Sequence, residues 1–309
     1  MTLYACGSNE HRQIHQQAPL HVVPPFQLKD FPHVVAASWS QVVLRDAKGK
    51  ASARGLPLEN SFTNLSAAVT WLGQDEFVAV LLDDGRIQRL GDKATTSSRY
   101  SQASINSRGE VVVVPRSSLS FSLPACRHPV KLELPFYPSS SSAVEHVSSI
   151  SCGAAHFLIL ASPSARVFSI GDNRYGQLGV PHASASSSKP VLHHVDLFDG
   201  LRVSSVSAGA FHSVALTESG QVYLFGSDER GQCGGSGGGS EPTLDETLEA
   251  LGEAEGDDNE IVQACAFGES TVVRTRRGQV WVAGSSTHTW SLHLTSHVDE
   301  SAPFDLRRD

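Results

Sequence analysis

Apolar residues in this chain occur in short runs of strand length, separated by turn sequences. Two such runs are FVAVLL from Phe77 and HFLILA from His156. Several of the turns contain glycine, as in DDGR from Asp83 and ESGQ from Glu218. Glycine there supplies the positive φ that a hairpin demands. Since no helical periodicity of comparable length interrupts the runs, the pattern predicts an all-β chain.

The chain also repeats itself. Residues 150–179, ISCGAAHFLILASPSARVFSIGDNRYGQLG, align with residues 206–234, VSAGAFHSVALTESGQVYLFGSDERGQCG. The N-terminal LYACGSNEHRQI, from Leu3, matches only the second half of this template. One repeat cannot bury both of its faces, whereas copies stacked radially can. Weaker copies of the first half begin at four further places, Val34, Val69, Ser104 and Val262.

We therefore predict one β-propeller domain over residues 1–309. Six first halves are recognisable, so the repeats alone allow six blades. Strands from both termini would close the ring and remove unpaired sheet edges. Residues 235–260 are predicted to be a flexible loop, Gly/Ser-rich and then acidic, whose GGSGGGS stretch is natural or introduced.

The repeat has the pattern x-x-G-x-x-H-[ST]-x-x-L, followed by G-x-V-Y-x-x-G-x-[ND]-x-x-G-Q-x-G. This pattern resembles the repeat of the regulator of chromosome condensation family. The resemblance implies a propeller, and since the family usually has seven blades we predict seven, the seventh having diverged in the stretch from Gly284. It also implies a non-enzymatic protein-interaction scaffold. The short members, of the fungal α-tubulin suppressor or killer-toxin-insensitivity type, are partners of a small CSL zinc protein. That pair acts in diphthamide synthesis and in Elongator-dependent tRNA wobble-uridine modification.

Two alternatives also follow from the resemblance. The founding member of the family promotes nucleotide exchange on the small GTPase Ran and binds nucleosomes, and vertebrate single-propeller relatives bind a chromatin lysine demethylase. The resemblance therefore allows two other functions: guanine-nucleotide exchange on a Ran-like GTPase, or a role as a chromatin adaptor.

Positions that recur in both good copies are predicted to be structural, because repeated equivalents make poor unique active sites. We expect the two histidines to bond backbone groups of the adjoining turn, and we expect Ser40 and Thr271 at their position in the first and last copies. The recurring positions are Gly153, His156, Gly171, Gly209, His212 and Gly226.

The sequence contains no motif of catalysis or of cofactor binding. The H-E-x-x-H helix and the Gly-Lys-Ser/Thr phosphate loop do not occur in it. The G-x-S-x-G spacing occurs at residues 234–238, within the GGSGGGS stretch, where no strand-turn-helix pattern makes it a nucleophile elbow. The five cysteines form no C-x-x-C pair, and the histidine groups lack ligand spacing for a metal. We predict no catalytic, cofactor-binding or metal residue. The histidine groups in question are His193 with His194, and His288, His293 and His297.

Net charge is −8, and residues 241–260 contain nine acidic residues and no basic one. The rest of the chain is nearly neutral, which argues against direct nucleic-acid binding. The acidic segment is either a solvated insertion or an arm that contacts a basic partner surface. Candidate contacts there are Glu253, Glu255, Asp257 and Asp258.

Aromatic residues at blade corners are a second set of candidate partner contacts, because aromatic side chains dominate interface hot spots. Trp39 and Trp71 are preferred among them. The N-terminus lacks a signal sequence, so we expect a cytoplasmic or nuclear protein, away from membranes, as a monomer or a heterodimer. The set comprises Trp39, Trp71, Tyr175, Phe211 and Trp290.

Overall fold

The regular structure consists almost entirely of strands. A 3-10 turn at Asp196–Phe198 is the one helical element among the described residues. No helix in the described part of the chain is long and apolar enough to cross a membrane. The computed structural model describes residues 4–8, 22–27, 33–37, 41–45, 48, 51–55, 68–73, 78–90, 94–115, 145–181, 191–234, 239–244, 260–284 and 287–294.

The chain divides into two compact units, of which the first comprises residues 1–103, 115–118 and 299–309. Its sheets have the strand orders β1-β2, β3-β4-β5 and β6-β7-β8, all antiparallel. The strands are β1 Tyr4–Ser8, β2 Val22–Gln27, β3 His33–Ala37, β4 Gln41–Arg45, β5 Ala51–Gly55, β6 Ala68–Leu72, β7 Ala79–Leu82 and β8 Ile87–Arg89.

Trp71 belongs to the core of this first unit, where it packs with Val43, Ala68 and Val80. It is 8% exposed. The prediction that Trp71 contacts a partner is therefore wrong. Position 71 lies on β6, and its side chain faces the neighbouring strands rather than solvent.

The second unit comprises residues 104–114 and 119–298. Three sheets have four strands each, and we name them sheet A (β11-β12-β13-β14), sheet B (β15-β16-β17-β18) and sheet C (β19-β20-β21-β22). A further sheet pairs β9 with β10, and residues 104–114 of this hairpin belong to the second unit. The strands are β9 Tyr100–Ile105, β10 Val111–Pro115, β11 His146–Cys152, β12 His156–Ser162, β13 Val167–Gly171, β14 His193–His194, β15 Val203–Ala208, β16 His212–Thr217, β17 Val222–Gly226, β18 Gly239–Leu244, β19 Ile261–Phe267, β20 Ser270–Thr275, β21 Val280–Gly284 and β22 Thr287–Leu294.

Sheets A, B and C stack so that both faces of sheet B are covered. Along β16, Ala215 packs in a cluster with Leu158 and Leu160 of sheet A. Val214 and Leu216 pack instead with Val273 and other residues of sheet C. Every residue of β16 is consequently buried, which is why the strand reads as an unbroken apolar run. Full burial of one such leucine contributes roughly 2 kcal/mol.

Each of the six predicted first halves lies in a sheet of its own. The stretch after Gly284 is the fourth strand of sheet C, β22, and its pairing with β21 contradicts a separate, diverged blade there. Seven sheets occur among the described residues, but the blade count and the closure by both termini stay predictions.

The flexible loop predicted at residues 235–260 was wrong for part of its length. Residues 239–244 form β18, whose Leu244 pairs with Tyr223 of β17. An antiparallel neighbour satisfies backbone groups that would otherwise be exposed at the sheet edge, so glycine and proline in this segment do not prevent a strand. Residues 235–238 and 245–259 lie outside the described residues.

Strand register also corrects the predicted histidine position. His156 and His212 begin their strands opposite Gly171 and Gly226. The residues opposite the corresponding Gly55 and Gly284 are Gln41 and Ser270. The equivalents in the first and last copies are therefore Gln41 and Ser270, each one residue away from the predicted Ser40 and Thr271. A one-residue slip inverts which face a strand residue occupies, so the correction changes which sheet each side chain meets.

Candidate protein interface

Two buried hydrogen-bond relays join sheets A, B and C. The Nε2 atom of His156 lies 2.9 Å from Oγ of Ser213, and this hydroxyl donates to the backbone carbonyl of Gln177 at 2.7 Å. One repeat later, Nε2 of His212 lies 2.9 Å from Oγ1 of Thr271, which donates to the carbonyl of Gln232 at 2.7 Å. The predicted partner, backbone of the adjoining turn, is thus replaced by a hydroxyl on the next sheet.

Glycine three residues before each histidine makes room for the ring. A Cβ added to Gly153 would overlap Cε1 and Nδ1 of His156 and the carbonyl oxygen of Gly209. At Gly209 it would overlap Cε1 and Nδ1 of His212. The G-x-x-H spacing of the repeat therefore has a packing cause, since real interiors leave no space for an extra methyl group.

The glycines that end β13 and β17 are constrained by both conformation and space. Gly171 has φ +123° and Gly226 has φ +102°. A side chain at Gly171 would also overlap the carbonyl oxygen of Ala155. Such positive φ values favour glycine, so these two predicted structural positions have a physical reason.

Both histidines are neutral in the folded chain. The Ser213 and Thr271 hydroxyl hydrogens are used for the glutamine carbonyls, so each Nε2 must be the donor to the hydroxyl oxygen. Burial lowers the pKa of His156 to about 3, with a smaller contribution from the charge of His212. Burial lowers the pKa of His212 to about 4. An imidazole with so low a pKa does not serve as a general base near neutral pH.

The loops after β13 and β17 are braced in the same way from inside. The Oδ1 atom of Asn173 accepts from the N–H of Leu178 at 2.9 Å, and Oδ1 of Asp228 accepts from the N–H of Cys233 at 2.7 Å. The buried side chain of Gln177 also accepts, through Oε1, the N–H of Tyr175 at 2.9 Å. These polar residues thus hold loops that are open to solvent on their outer side.

Large side chains are exposed at this end of sheets A, B and C, both on the loop after β13 and at the end of β19. Tyr175 is 38% exposed and Phe267 is 57% exposed. The rings of Tyr175 and Phe211 lie 5.4 Å apart, and the Arg174 guanidinium lies 5.9 Å from the Tyr175 ring centroid. Arg230 pairs with Glu269 at 3.5 Å. We call this surface the loop face and define it as Arg174, Tyr175, Phe211, Arg230, Phe267 and Glu269.

Hydrogen bonds between neighbouring loops make the loop face continuous. The N–H of Ala154 donates to the carbonyl of Ala210 at 3.1 Å, and the N–H of Ala210 donates to the carbonyl of Gly268 at 2.7 Å. Because backbone joins the loops of sheets A, B and C, the exposed residues are held at fixed spacing. Fixed spacing reduces the entropy that a partner would have to remove on binding.

Charge beside the aromatic pair is organised by Asp172. Its carboxylate accepts from Arg174 at 2.7 Å and from Arg108 at 2.9 Å. Partial burial acts to raise the pKa of Asp172, but bonds from the Arg174 backbone and from both guanidiniums lower it below its ordinary value. The carboxylate is therefore charged, and it fixes the guanidinium that stacks on Tyr175.

The acidic segment begins and ends at the opposite end of the sheets. Gly239 of β18 pairs with Gly226, near the loop face, whereas Leu244 pairs with Tyr223. The chain re-enters sheet C at Glu260, next to the Ile261–Thr275 pair. At that same end Arg202 makes a bidentate pair with Glu218, at 2.6 and 2.9 Å.

The remaining predicted contacts distribute as follows. Tyr175 and Phe211 lie on the loop face, but Trp290 is known only as part of β22. Sequence reasoning missed Arg174, Arg230 and Phe267. The sequence places both arginines close to the G-Q-x-G motif of a good copy: Arg230 directly precedes it, and Arg174 stands one residue earlier, before Tyr175. Trp39 and the acidic candidates Glu253, Glu255, Asp257 and Asp258 lie outside the described residues.

His194 has two carboxylate neighbours. Its Nδ1 lies 2.8 Å from Asp196 and its Nε2 lies 3.2 Å from Asp199, and ligand atoms of the three residues lie within 4.8 Å of one another. A metal ion can take only one nitrogen of an imidazole, and here each nitrogen faces a different carboxylate. We interpret the three residues as a cluster of polar side chains at the edge of sheet A. The adjacent His193 has its pKa lowered by burial.

Two protein-family models match the part of the chain that contains the hydrogen-bond relays. A model of the regulator of chromosome condensation (RCC1) repeat matches residues 164–216, and a second model with the same description matches residues 147–177 and 203–232. Residues 147–232 of the chain are thus similar to RCC1 repeats. The narrower likeness to the α-tubulin suppressor type stays a prediction.

Curated relatives share the repeat over part of their length. Mouse RCC1 domain-containing protein 1 is 28% identical over 244 residues, which are 74% of this chain and 60% of that protein. The human RCC1-like G exchanging factor-like protein is 30% identical over 159 residues, 51% of this chain and 33% of that protein. The chain thus spans between about a third and three fifths of these relatives.

The likeness extends to solved structures. Prp20p from Saccharomyces cerevisiae is 14% identical, with a TM-score of 0.64 that covers 96% of this chain and 86% of that one. This likeness shows the fold, an all-β propeller of the RCC1 type. At this identity it shows nothing about function, because one fold hosts many functions.

Proposed function

We propose that the chain is a non-enzymatic scaffold that binds a protein partner through the loop face. The observation that carries the proposal is the stack of Arg174, Tyr175 and Phe211 on a rigid base. Tyrosine and arginine are the residue types enriched in interface hot spots. An aromatic ring pre-ordered by a neighbour and by a guanidinium keeps its apolar area available at low entropic cost.

The first candidate partner is a small CSL-type zinc protein, with roles in diphthamide synthesis and in Elongator-dependent wobble-uridine modification. The RCC1 repeats and the resemblance of the sequence to short members of the family support it. We expect the pair in the cytoplasm, the nucleus or both.

Replacing Tyr175 and Phe211 together by alanine is expected to reduce capture of the partner at least about tenfold, since loss of one hot-spot side chain costs more than about 1 kcal/mol. Affinity purification with mass spectrometry, comparing wild type and Y175A/F211A, measures this. Arg202→Gln, at the opposite end of sheet B, is the matched surface control and should leave capture unchanged.

A third variant separates the two predicted contact sets. Neutralising Glu253, Glu255, Asp257 and Asp258 to the amides tests the acidic segment without touching the loop face. Loss of capture in this variant, with full capture by Y175A/F211A, would show that the loop face is not the binding surface. If no CSL-type protein is recovered with wild type, the first candidate partner is wrong.

Guanine-nucleotide exchange is the second candidate function. The name of the human relative, a G exchanging factor-like protein, favours it. The work on Prp20p, in turn, describes binding of that protein to Gsp1p and histones. If this chain is an exchange factor, micromolar amounts should accelerate release of labelled GDP from a Ran-like GTPase, and Y175A/F211A should slow that acceleration. A flat release trace excludes the function, and recovery of histones or a demethylase in the purification would favour a chromatin adaptor.

A further inference from the structure

We propose that the two buried relays position the exposed residues Tyr175 and Arg230 on the loop face. Ser213 and Thr271 are then positioning residues. Each belongs to one sheet and holds the exposed loop of the preceding sheet, Ser213 that of sheet A and Thr271 that of sheet B. The proposal rests on the proposed function for its biological meaning, but its physical content concerns the chain alone.

The first step is from the hydroxyl to the loop of the preceding sheet. Ser213 lies on β16 of sheet B, and the carbonyl to which it donates belongs to Gln177, in the loop that leaves sheet A. Ser213 is fully buried. The bond thus reaches 36 residues back along the chain and fixes the backbone at Gln177 against the neighbouring sheet.

The second step is from the glutamine to the surface. Gln177 is fully buried, and its Oε1 accepts the N–H of Tyr175, two residues earlier. The backbone bond to Ser213 holds the same residue whose side chain holds Tyr175. The position of the Tyr175 ring beside Phe211 therefore depends on a hydroxyl that lies inside the protein.

The same arrangement occurs one repeat later with different surface chemistry. Thr271 on β20 donates to the carbonyl of Gln232, and Oε1 of Gln232 accepts the N–H of Arg230 at 2.8 Å. Gln232 is 2% exposed. Arg230 is the loop-face arginine that pairs with Glu269. Two independent relays thus end on two loop-face residues at the same repeat position.

The backbone carbonyl determines the direction of each relay. Because a carbonyl can only accept, the Ser213 hydroxyl hydrogen is used for Gln177, and Nε2 of His156 donates to the hydroxyl oxygen. Hydrogen bonds in the low-dielectric interior are stronger than those in water, so they hold the groups that they join.

Hydrogen exchange of individual amides, followed by NMR on the chain without a partner, tests the proposal. Ser213→Ala is expected to accelerate exchange at the Tyr175 amide roughly tenfold and to leave Arg230 unchanged, since the lost bond is local. Thr271→Val should accelerate Arg230 and leave Tyr175 unchanged. Thr217→Val, which removes a buried hydroxyl from the far end of the same strand β16, should change neither amide.

Conservative variants complete the design. Serine in one relay and threonine in the other make the same bond, so either residue type can do so at this position. Ser213→Thr and Thr271→Ser should therefore keep amide exchange at the wild-type rate. Unchanged exchange at both amides in the Ser213→Ala and Thr271→Val chains would overturn the proposal, and so would equal acceleration at both amides in each chain. If exchange responds as expected while partner capture does not, the relays position the loops and the loop face is not the contact surface.

Discussion

Replacing Gly209 by alanine is expected to lower the free energy of unfolding by about 3 kcal/mol, the upper end of typical overpacking costs. The added Cβ would overlap two atoms of the buried His212 ring and lie 3.0 Å from the carbonyl oxygen of Gly268. The ring cannot retreat without breaking its bond to Thr271. Denaturant unfolding of wild type and Gly209→Ala measures the difference.

A double-mutant cycle identifies the cause. In a His212→Ala background the ring is absent, so the cost of Gly209→Ala should fall to about 1 kcal/mol, and the two changes should be strongly non-additive. Combined with Thr217→Val at the other end of β16, Gly209→Ala should be additive within about 0.5 kcal/mol. Equal costs of Gly209→Ala with and without the His212 ring would contradict the packing explanation.

Acidification is expected to destabilise the chain well before its carboxylates titrate. The pKa values of His156 and His212 in the folded chain, about 3 and about 4, lie below the ordinary 6.5. The unfolded chain therefore binds protons first as the pH falls. Stability is fully present above pH 6.5 and is lost as the pH falls from there towards the folded values, by up to about 1.4 kcal/mol per pH unit for each histidine.

Unfolding experiments at about pH 7.5 and about pH 5 should thus differ by up to about 4 kcal/mol, counted over the 1.5 units below pH 6.5 for both rings. Replacing both histidines by glutamine should remove most of this dependence, even though the variant is less stable overall. Glutamine is the natural test residue because Gln41 occupies the same register position in the first unit. A His156→Gln/His212→Gln variant with an unchanged pH dependence would show that other groups titrate.

Sequence reasoning recovered the parts of this fold that repeat. The alternation of apolar runs and glycine turns predicted the strands, and the alignment of residues 150–179 with residues 206–234 located sheets A and B. Both patterns recur because each repeat must bury both faces of its sheet against the neighbouring sheets. Gly153 and Gly209 were recognisable for the same reason, since a ring of fixed size needs the same gap in each copy.

The hydrogen-bond relays, the strand register and the burial of Trp71 could not be predicted, because they depend on contacts between repeats. The bond from His156 to Ser213 joins residues that are 57 positions apart, and no local pattern shows which sheet a side chain faces. An alignment without strand register placed Ser40 and Thr271 one residue away from the true equivalents. Trp71 failed for a related reason, because a tryptophan in a weak repeat copy can be core or surface, and only packing decides.

The points at which the acidic segment is attached to sheets B and C have a practical consequence. The chain leaves sheet B at Leu244 and enters sheet C at Glu260, both at the end of the sheets far from Tyr175. Changes of length between these two points do not have to disturb the loops that carry the exposed rings. A fluorophore or a purification handle inserted between Leu244 and Glu260 would therefore join sheets B and C at the end away from Tyr175.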